Sequence, residues 1–202
     1  IDASDILSTL EPIWTSKHET ARRLKQRIGT VMKWAVAQGY RSDDPTAALT
    51  QVLPKAAKKP EHRKSISYAE VAHCVAAVRQ SDAMESTKLA FEFLVLTASR
   101  SGEVRGATWT EIDFEKAVWV IPGARMKMKA EHRVPLSAQA LVILQKAKAL
   151  GDPHLVFPGS REGRPMSDMT MSKLIKELGF EADIHGFRTS FRVWVQELSV
   201  VR

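Results

Sequence analysis

Arg100 stands in Thr97-Ala98-Ser99-Arg100-Ser101-Gly102-Glu103, directly after a strongly apolar stretch. A guanidinium held there, with a glycine and a glutamate behind it, is well placed to face a cleft. It is permanently charged, and its planar fork matches the oxygens of a phosphate. Taken alone, the segment also fits a surface Arg–Glu pair at a helix start. A second cluster is His185-Gly186-Phe187-Arg188. On a forming helical turn, residues three apart face the same way. An imidazole that exchanges protons beside a fixed cation suits phosphoryl chemistry. A third candidate is Lys127 in Arg125-Met126-Lys127-Met128-Lys129, eight residues before Pro135. On a hairpin turn its ammonium could swing into a cleft as a proton donor. In isolation a solvated turn lysine is the simpler reading.

These residues need elements to hold them. Ser16-Lys17-His18-Glu19 has the capping-box pattern and opens a helix whose apolar stripe is Ala21, Leu24, Ile28, Val31 and Ala35. Arg22, Arg23, Lys25 and Arg27 lie off that stripe or at its border. Gly39 ends the helix, and Asp44-Pro45 starts a short one. Residues 54–66 hold two prolines, five cations and one large apolar residue, which is linker composition. Lys58 and Lys59 in that run could lie along phosphates. Ser67-Tyr68-Ala69-Glu70 caps a helix with Val71, Cys74, Val75 and Val78, and Ser86 to Leu96 forms a buried one. After Trp109 the period falls to two. Residues 111–114, 117–121 and 132–136 then read as three short strands of one antiparallel sheet. Helical signals return at 138–149, 167–178 and from about 186 to 197. The expected fold is mainly α (α+β), a small helical unit followed by a helical domain around a three-stranded sheet.

Composition narrows the classes. The chain has 202 residues, 30 Lys+Arg against 23 Asp+Glu, and 44% apolar residues, an ordinary globular make-up. No apolar run reaches membrane-spanning length, and no signal peptide is visible at the start. One cysteine excludes a disulfide framework or a Cys-rich zinc site and suits a cytoplasmic setting. Residues 1–66 hold 12 basic and 7 acidic side chains, so most of the +7 net charge sits in the smaller part. That asymmetry fits an electrostatic gripping module attached to something else, and equally well a surplus that only aids solubility; charge alone does not separate the two.

In their order, these motifs resemble the tyrosine recombinase (phage integrase) family. The likeness is carried by T-x-x-R-x-G-E at 97–103, G-x-x-W-x-E-I-D at 106–113 and the hairpin lysine before V-P-L. V-F-P at 156–158 and H-G-F-R-T-S-F-R at 185–192 complete it. It looks most like the integrases of prophages and genomic islands. The resemblance implies a partial helical core-binding domain at 1–53, a basic linker at 54–66 and a catalytic domain at 67–202. It implies double-stranded DNA at attachment-type sites as substrate, self-association on that DNA, and neither metal nor cofactor. Arg100 and Arg188 would hold the scissile phosphate, Lys127 would protonate the leaving 5′ oxygen, and His185 would assist proton transfer. Glu103 would brace Arg100, and Lys129 is a weaker choice than Lys127 by its spacing to Pro135. Arg22, Arg23, Lys25, Arg27, Lys58 and Lys59 would touch the DNA backbone.

One element of the family pattern is missing. The nucleophilic tyrosine belongs some tens of residues after H-x-x-R, but no tyrosine follows Arg188. Tyr40 and Tyr68 lie far upstream. The expectation is a fragment of an integrase, incomplete at its C-terminus and unable to form the 3′-phosphotyrosyl intermediate in cis. The alternative is a catalytically dead remnant that grips recombination sites without cutting. A helical transcription regulator would account for the basic helix but not for Arg100, Lys127, His185 and Arg188 in this order.

Overall fold

Asp2 opens the first helix, α1 (Ala3–Trp14), of the computed structural model, which describes residues 1–54, 64–126 and 128–198. The Asp2 carboxylate accepts from the N–H groups of Ser4 and Asp5, and Asp5 accepts from the Asp2 N–H in return. These reciprocal bonds satisfy donors that a helix start leaves unpaired. Ile6, Leu10 and Trp14, four apart, are buried along one face. They pack with Ala21 of α2 (His18–Ala37) and with Leu49 and Leu53 at α3 (Leu49–Val52). Trp14 Nε1 donates to the Pro54 carbonyl at 2.8 Å. This core belongs to a compact unit, Ile1–Glu61, and His62–Arg202 forms a second.

Three details of the first unit differ from the sequence reading. The Ser16 capping box does not form. Ser16 donates to the Pro12 carbonyl, Lys17 is the N-cap without a side-chain bond, and Glu19 is engaged by Arg22 and Arg23. The buried face of α2 also turns away from Val31, which is 56% exposed, toward Gly29 and Met32. The cause is Thr46. Its Oγ1 lies 3.0 Å from where a Cβ on Gly29 would be, so the chain after α2 packs straight onto the glycine. Finally, Asp44 binds the N–H and hydroxyl of Thr46, giving a turn over 45–48, and the helix itself begins only at Leu49. Gly39 does end α2, with φ +75° and its N–H on the Val36 carbonyl.

The second unit follows the expected order closely. Ser67 caps α4 (Tyr68–Gln80) through the Ala69 N–H, and Cys74 and Val78 are buried on that helix. In α5 (Glu85–Thr97), Leu89, Ala90, Phe91, Phe93 and Leu94 are all buried, so the helix runs through the core. A short helix, α6 (Ser101–Arg105), starts immediately after Arg100. Strands β1 (Ile112–Asp113), β2 (Val118–Ile121) and β3 (His132–Pro135) form an antiparallel sheet in that order. Trp119 pairs with Ile112 on one side and Val134 on the other, and Trp119 and Ile121 point into the core with period two. Helices α7 (Ala138–Lys148), α8 (Thr170–Glu177) and α9 (Gly186–Leu198) complete the fold. It is mainly α with one small sheet, as the periodicity requires. No helix among the described residues is long and apolar enough to cross a membrane.

Candidate active site

Burial of α5 fixes where Arg100 can be. The helix ends in Ala98, an alanine held in the left-handed region at φ +47°. That conformation is unfavourable for any residue with a Cβ. Two residues later Arg100 emerges with 49% of its side chain exposed. Its backbone N–H donates to Glu103 Oε2 at 2.9 Å and its Nη1 pairs with Glu103 Oε1. Glu103 is 7% exposed, so a nearly buried carboxylate clamps both ends of the arginine. The bracing role expected of Glu103 matches this geometry.

Arg188 reaches the same turn from α9, donating from Nη1 to the carbonyl of Ala98. The structure thus brings Arg188 to the peptide two residues before Arg100, across 88 residues of sequence. Among the described residues, Nε and Nη2 of both arginines have no partner. Two guanidinium edges available beside one strained turn make an anion-binding arrangement. His185 is exposed in the turn just before α9, and its carbonyl accepts the Arg188 N–H at 3.2 Å.

The intervening residues of His185-Gly186-Phe187-Arg188 explain why the motif is rigid. A Cβ on Gly186 would sit 2.2 Å from the Lys64 carbonyl oxygen, so only glycine lets residues 64–66 cross the start of α9. The strap is held by the Asp183 N–H on Lys64 and by the Ser190 hydroxyl on Ile66. Phe187 is buried edge-on against Phe91 of α5 at 5.1 Å. Both arginines are therefore anchored to α5, one by chain continuity and the other by aromatic packing.

A network missed from sequence supports this turn. Arg125, after β2, pairs through Nη1 with Glu111 and donates from Nη2 to the Glu103 carbonyl at 2.6 Å. Trp119 Nε1 donates to Glu111 Oε2 at 3.0 Å. A Cβ on Gly106 would lie 2.9 Å from Arg125 Nη2, so the glycine makes room for the guanidinium. The sequence signals were Glu111 inside G-x-x-W-x-E-I-D and the small residue at 106. Arg125 itself reads as one more turn cation.

The remaining candidates divide. Lys127, Lys58 and Lys59 lie outside the described residues. The residues flanking Lys127 belong to the connection between β2 and β3. There Lys129 takes φ +52° and its carbonyl approaches within 2.6 Å of a Cβ on Gly123. On α2, Arg22 and Arg23 are exposed and both bond Glu19. Their bonds, Arg22 first, hold the Glu19 carboxyl down at about 2. Arg27 is exposed and Lys25 half-exposed on the same helix. These four belong to the first unit.

A sequence model described as the phage integrase family matches residues 64–197, and one described as the phage integrase central domain matches residues 1–52. The integrase of Enterobacteria phage P4 is 32% identical over 95% of this chain and 48% of its own length. Prophage integrase IntA of Escherichia coli (strain K12) is 34% identical over 94% of this chain and 46% of its own. The chain spans about half the length of these curated relatives. A lambda integrase dimer bound to a COC' core site superposes with a TM-score of 0.74 at 22% identity. That match covers 98% of this chain and 75% of the other.

Proposed function

The chain belongs to the phage integrase family, and from that premise we propose that it carries the DNA-gripping and phosphate-binding parts of a site-specific recombinase. The observation that best supports this is the Arg188 guanidinium on the Ala98 peptide, beside Arg100. Arg100 and Arg188 bind the non-bridging oxygens of the scissile phosphate and neutralise the charge that grows in the transition state. Glu103 keeps Arg100 from folding away. His185 aids proton transfer at the attacking oxygen, and Lys127 protonates the departing 5′ oxygen. The attacking group is the tyrosine of a 3′-phosphotyrosyl mechanism, and strand exchange then integrates or excises a mobile element. Neither metal nor cofactor takes part.

Residues 1–53 serve as the core-binding domain, residues 54–66 as a basic linker and residues 67–202 as the catalytic domain. Arg22, Arg23, Lys25, Arg27, Lys58 and Lys59 hold the duplex backbone, copies associate on paired sites, and the protein works on DNA in the cytoplasm. The 202 residues supply no nucleophile of their own. Tyr40 is in the first unit, and the Glu197 carboxylate beside the Tyr68 phenol raises its pKa. A remnant that grips sites without cutting accommodates the same tyrosine count. It is separated by whether a His or Trp and then a Tyr are encoded within about fifty residues downstream.

In this reading the 202-residue chain binds duplex DNA with log affinity falling against log salt at about −0.9 per phosphate contacted. Five or six contacts give a loss of roughly 10³-fold between 50 and 200 mM salt. On a nicked suicide substrate resolved in a denaturing gel, it leaves no covalent band. A band from these residues alone would overturn the assignment of the nucleophile to a downstream tyrosine, and salt-independent binding would overturn the backbone contacts.

A further inference from the structure

We propose that a second phosphate site lies in the cavity between the start of α5, the 158–165 hairpin and the start of α8. The cavity has a volume of about 420 Å³, and none of Arg100, His185 or Arg188 lines it. Ser86, Thr87, Ser160, Arg161, Arg164 and Thr170 are on its wall. No carboxylate is, although Glu85, Glu162 and Asp168 are close in sequence. Glu85 has turned to Lys88, 3.9 Å away. Arg161 and Arg164 are exposed, and no acid among the described residues pairs with either. A concave wall of hydroxyls and two uncompensated arginines selects an oxyanion.

Two helices begin at this cavity, α5 with thirteen residues and α8 with eight. Their N-caps are Met84 and Met169, neither of which makes a side-chain cap. The Thr87 N–H bonds the Met84 carbonyl and the Thr170 N–H the Ser167 carbonyl, which leaves the Glu85 and Ser86 amides of α5 and the Met171 amide of α8 for an anion that the helix dipole also favours. The decisive observation is Ser86. It is 4% exposed, it lines the cavity, and its Oγ has no hydrogen-bond partner. A buried hydroxyl left unpaired is costly, and native structures rarely keep one without a use. The other unpartnered buried atom among the described residues, Arg105 Nε, is one hydrogen bond behind the same wall. Arg105 Nη1 donates to the carbonyl of Met166, a lining residue. The hairpin that carries Arg161 and Arg164 is held closed on itself. Gly159 N–H bonds the Arg164 carbonyl at 2.8 Å, and a Cβ on Gly159 would strike that oxygen.

The shared chemistry is a phosphate group. Resting on the recombinase reading above, its source is a phosphodiester of the bound duplex away from the cleavage point, a grip separate from catalysis. Free inorganic phosphate is the other source of the same chemistry.

The test is an amide-resolved NMR titration of the 202-residue chain with inorganic phosphate at constant ionic strength. Saturable shifts are expected at Ser86, Thr87 and Thr170. An R161A/R164A variant should weaken that binding about tenfold or more while leaving any response around Arg100 unchanged. Ser86→Ala should melt no lower than the parent without phosphate, because the hydroxyl it removes has no partner, yet gain less from added phosphate. Unmoved Ser86 and Thr87 amides, or a response unchanged in R161A/R164A, would overturn the site regardless of what happens at Arg100. A second arm measures duplex affinity against salt. A slope shallower by about 0.9 per lost contact in R161A/R164A supports a DNA phosphate. An unchanged slope overturns the duplex source and leaves free phosphate as the ligand. Failure of the recombinase reading would appear separately, as loss of the Arg100 and Arg188 dependence of strand cleavage.

Discussion

Arg188→Ala, placed in this chain joined to the segment that carries the family's nucleophilic tyrosine, should cut covalent DNA adduct formation by roughly 10²–10³-fold. That is the cost of removing one preorganised donor from a developing oxyanion. The variant also removes the bond that Arg188 makes to the Ala98 carbonyl, so the turn bearing Arg100 loses a restraint at its left-handed residue. Both effects act on the chemical step. Duplex binding should change far less, since one phosphate contact among several is lost, about 0.9 in the salt slope. Arg188→Lys keeps a charge but not the fork, and it should recover binding more fully than cleavage. A suicide-substrate time course beside a salt titration reads both quantities. Equal losses in binding and cleavage would mean that Arg188 is only one of many backbone contacts.

Arg125→Ala should lower the stability of the second unit by about 3 kcal/mol, the range for breaking a largely buried ion pair from one side. Its partner Glu111 is 7% exposed and would keep a charge with only the Trp119 and Thr108 N–H groups beside it. The Glu103 carbonyl would lose its donor as well. For a unit of this size the melting temperature should fall by roughly 6–12 °C. Adding Glu111→Gln should return part of the loss, because it removes the stranded charge; urea midpoints of the two variants give the comparison. A melting temperature within 2 °C of the parent, allowing about 1 kcal/mol at most, would show that the pair contributes nothing to stability.

How much of this could be read without coordinates depends on the range of each interaction. The sheet and helices α4, α5, α7, α8 and α9 follow local periodicity, and their bounds fall within a few residues of those read from the sequence, whereas the short α6 has no element in that reading. Helix α1 has no counterpart in that reading, although Ile6, Leu10 and Trp14 are evenly spaced. Pro12 sits in its last turn, and α1 carries it without the bond that an N–H there would have made to the Ser8 carbonyl. The face of α2 was misjudged at Val31 because Thr46, seventeen residues beyond Gly29, decides which side is covered. At the site, the types and order of Arg100, His185 and Arg188 were legible. Their support was not. Nothing local distinguishes Arg125 from the other cations of its turn, and no glycine or asparagine at 98 signals the left-handed residue there.

Cys74 turns the second unit into its own clock. It is the chain's one cysteine, fully buried on α4, and burial pushes its thiol up to about 11. An alkylating reagent needs exposed thiolate, so the folded protein should react only when α4 leaves the core. If that opening costs the 5–10 kcal/mol of an ordinary domain, labelling is slowed roughly 10⁴–10⁷-fold relative to the unfolded chain. The rate reports on His62–Arg202 and is blind to unfolding confined to Ile1–Glu61. A ligand that binds only the closed second unit must slow labelling further by mass action. A single mass-spectrometric time course would then separate duplex held by the second unit from duplex held by the first alone, with no engineered label in the chain.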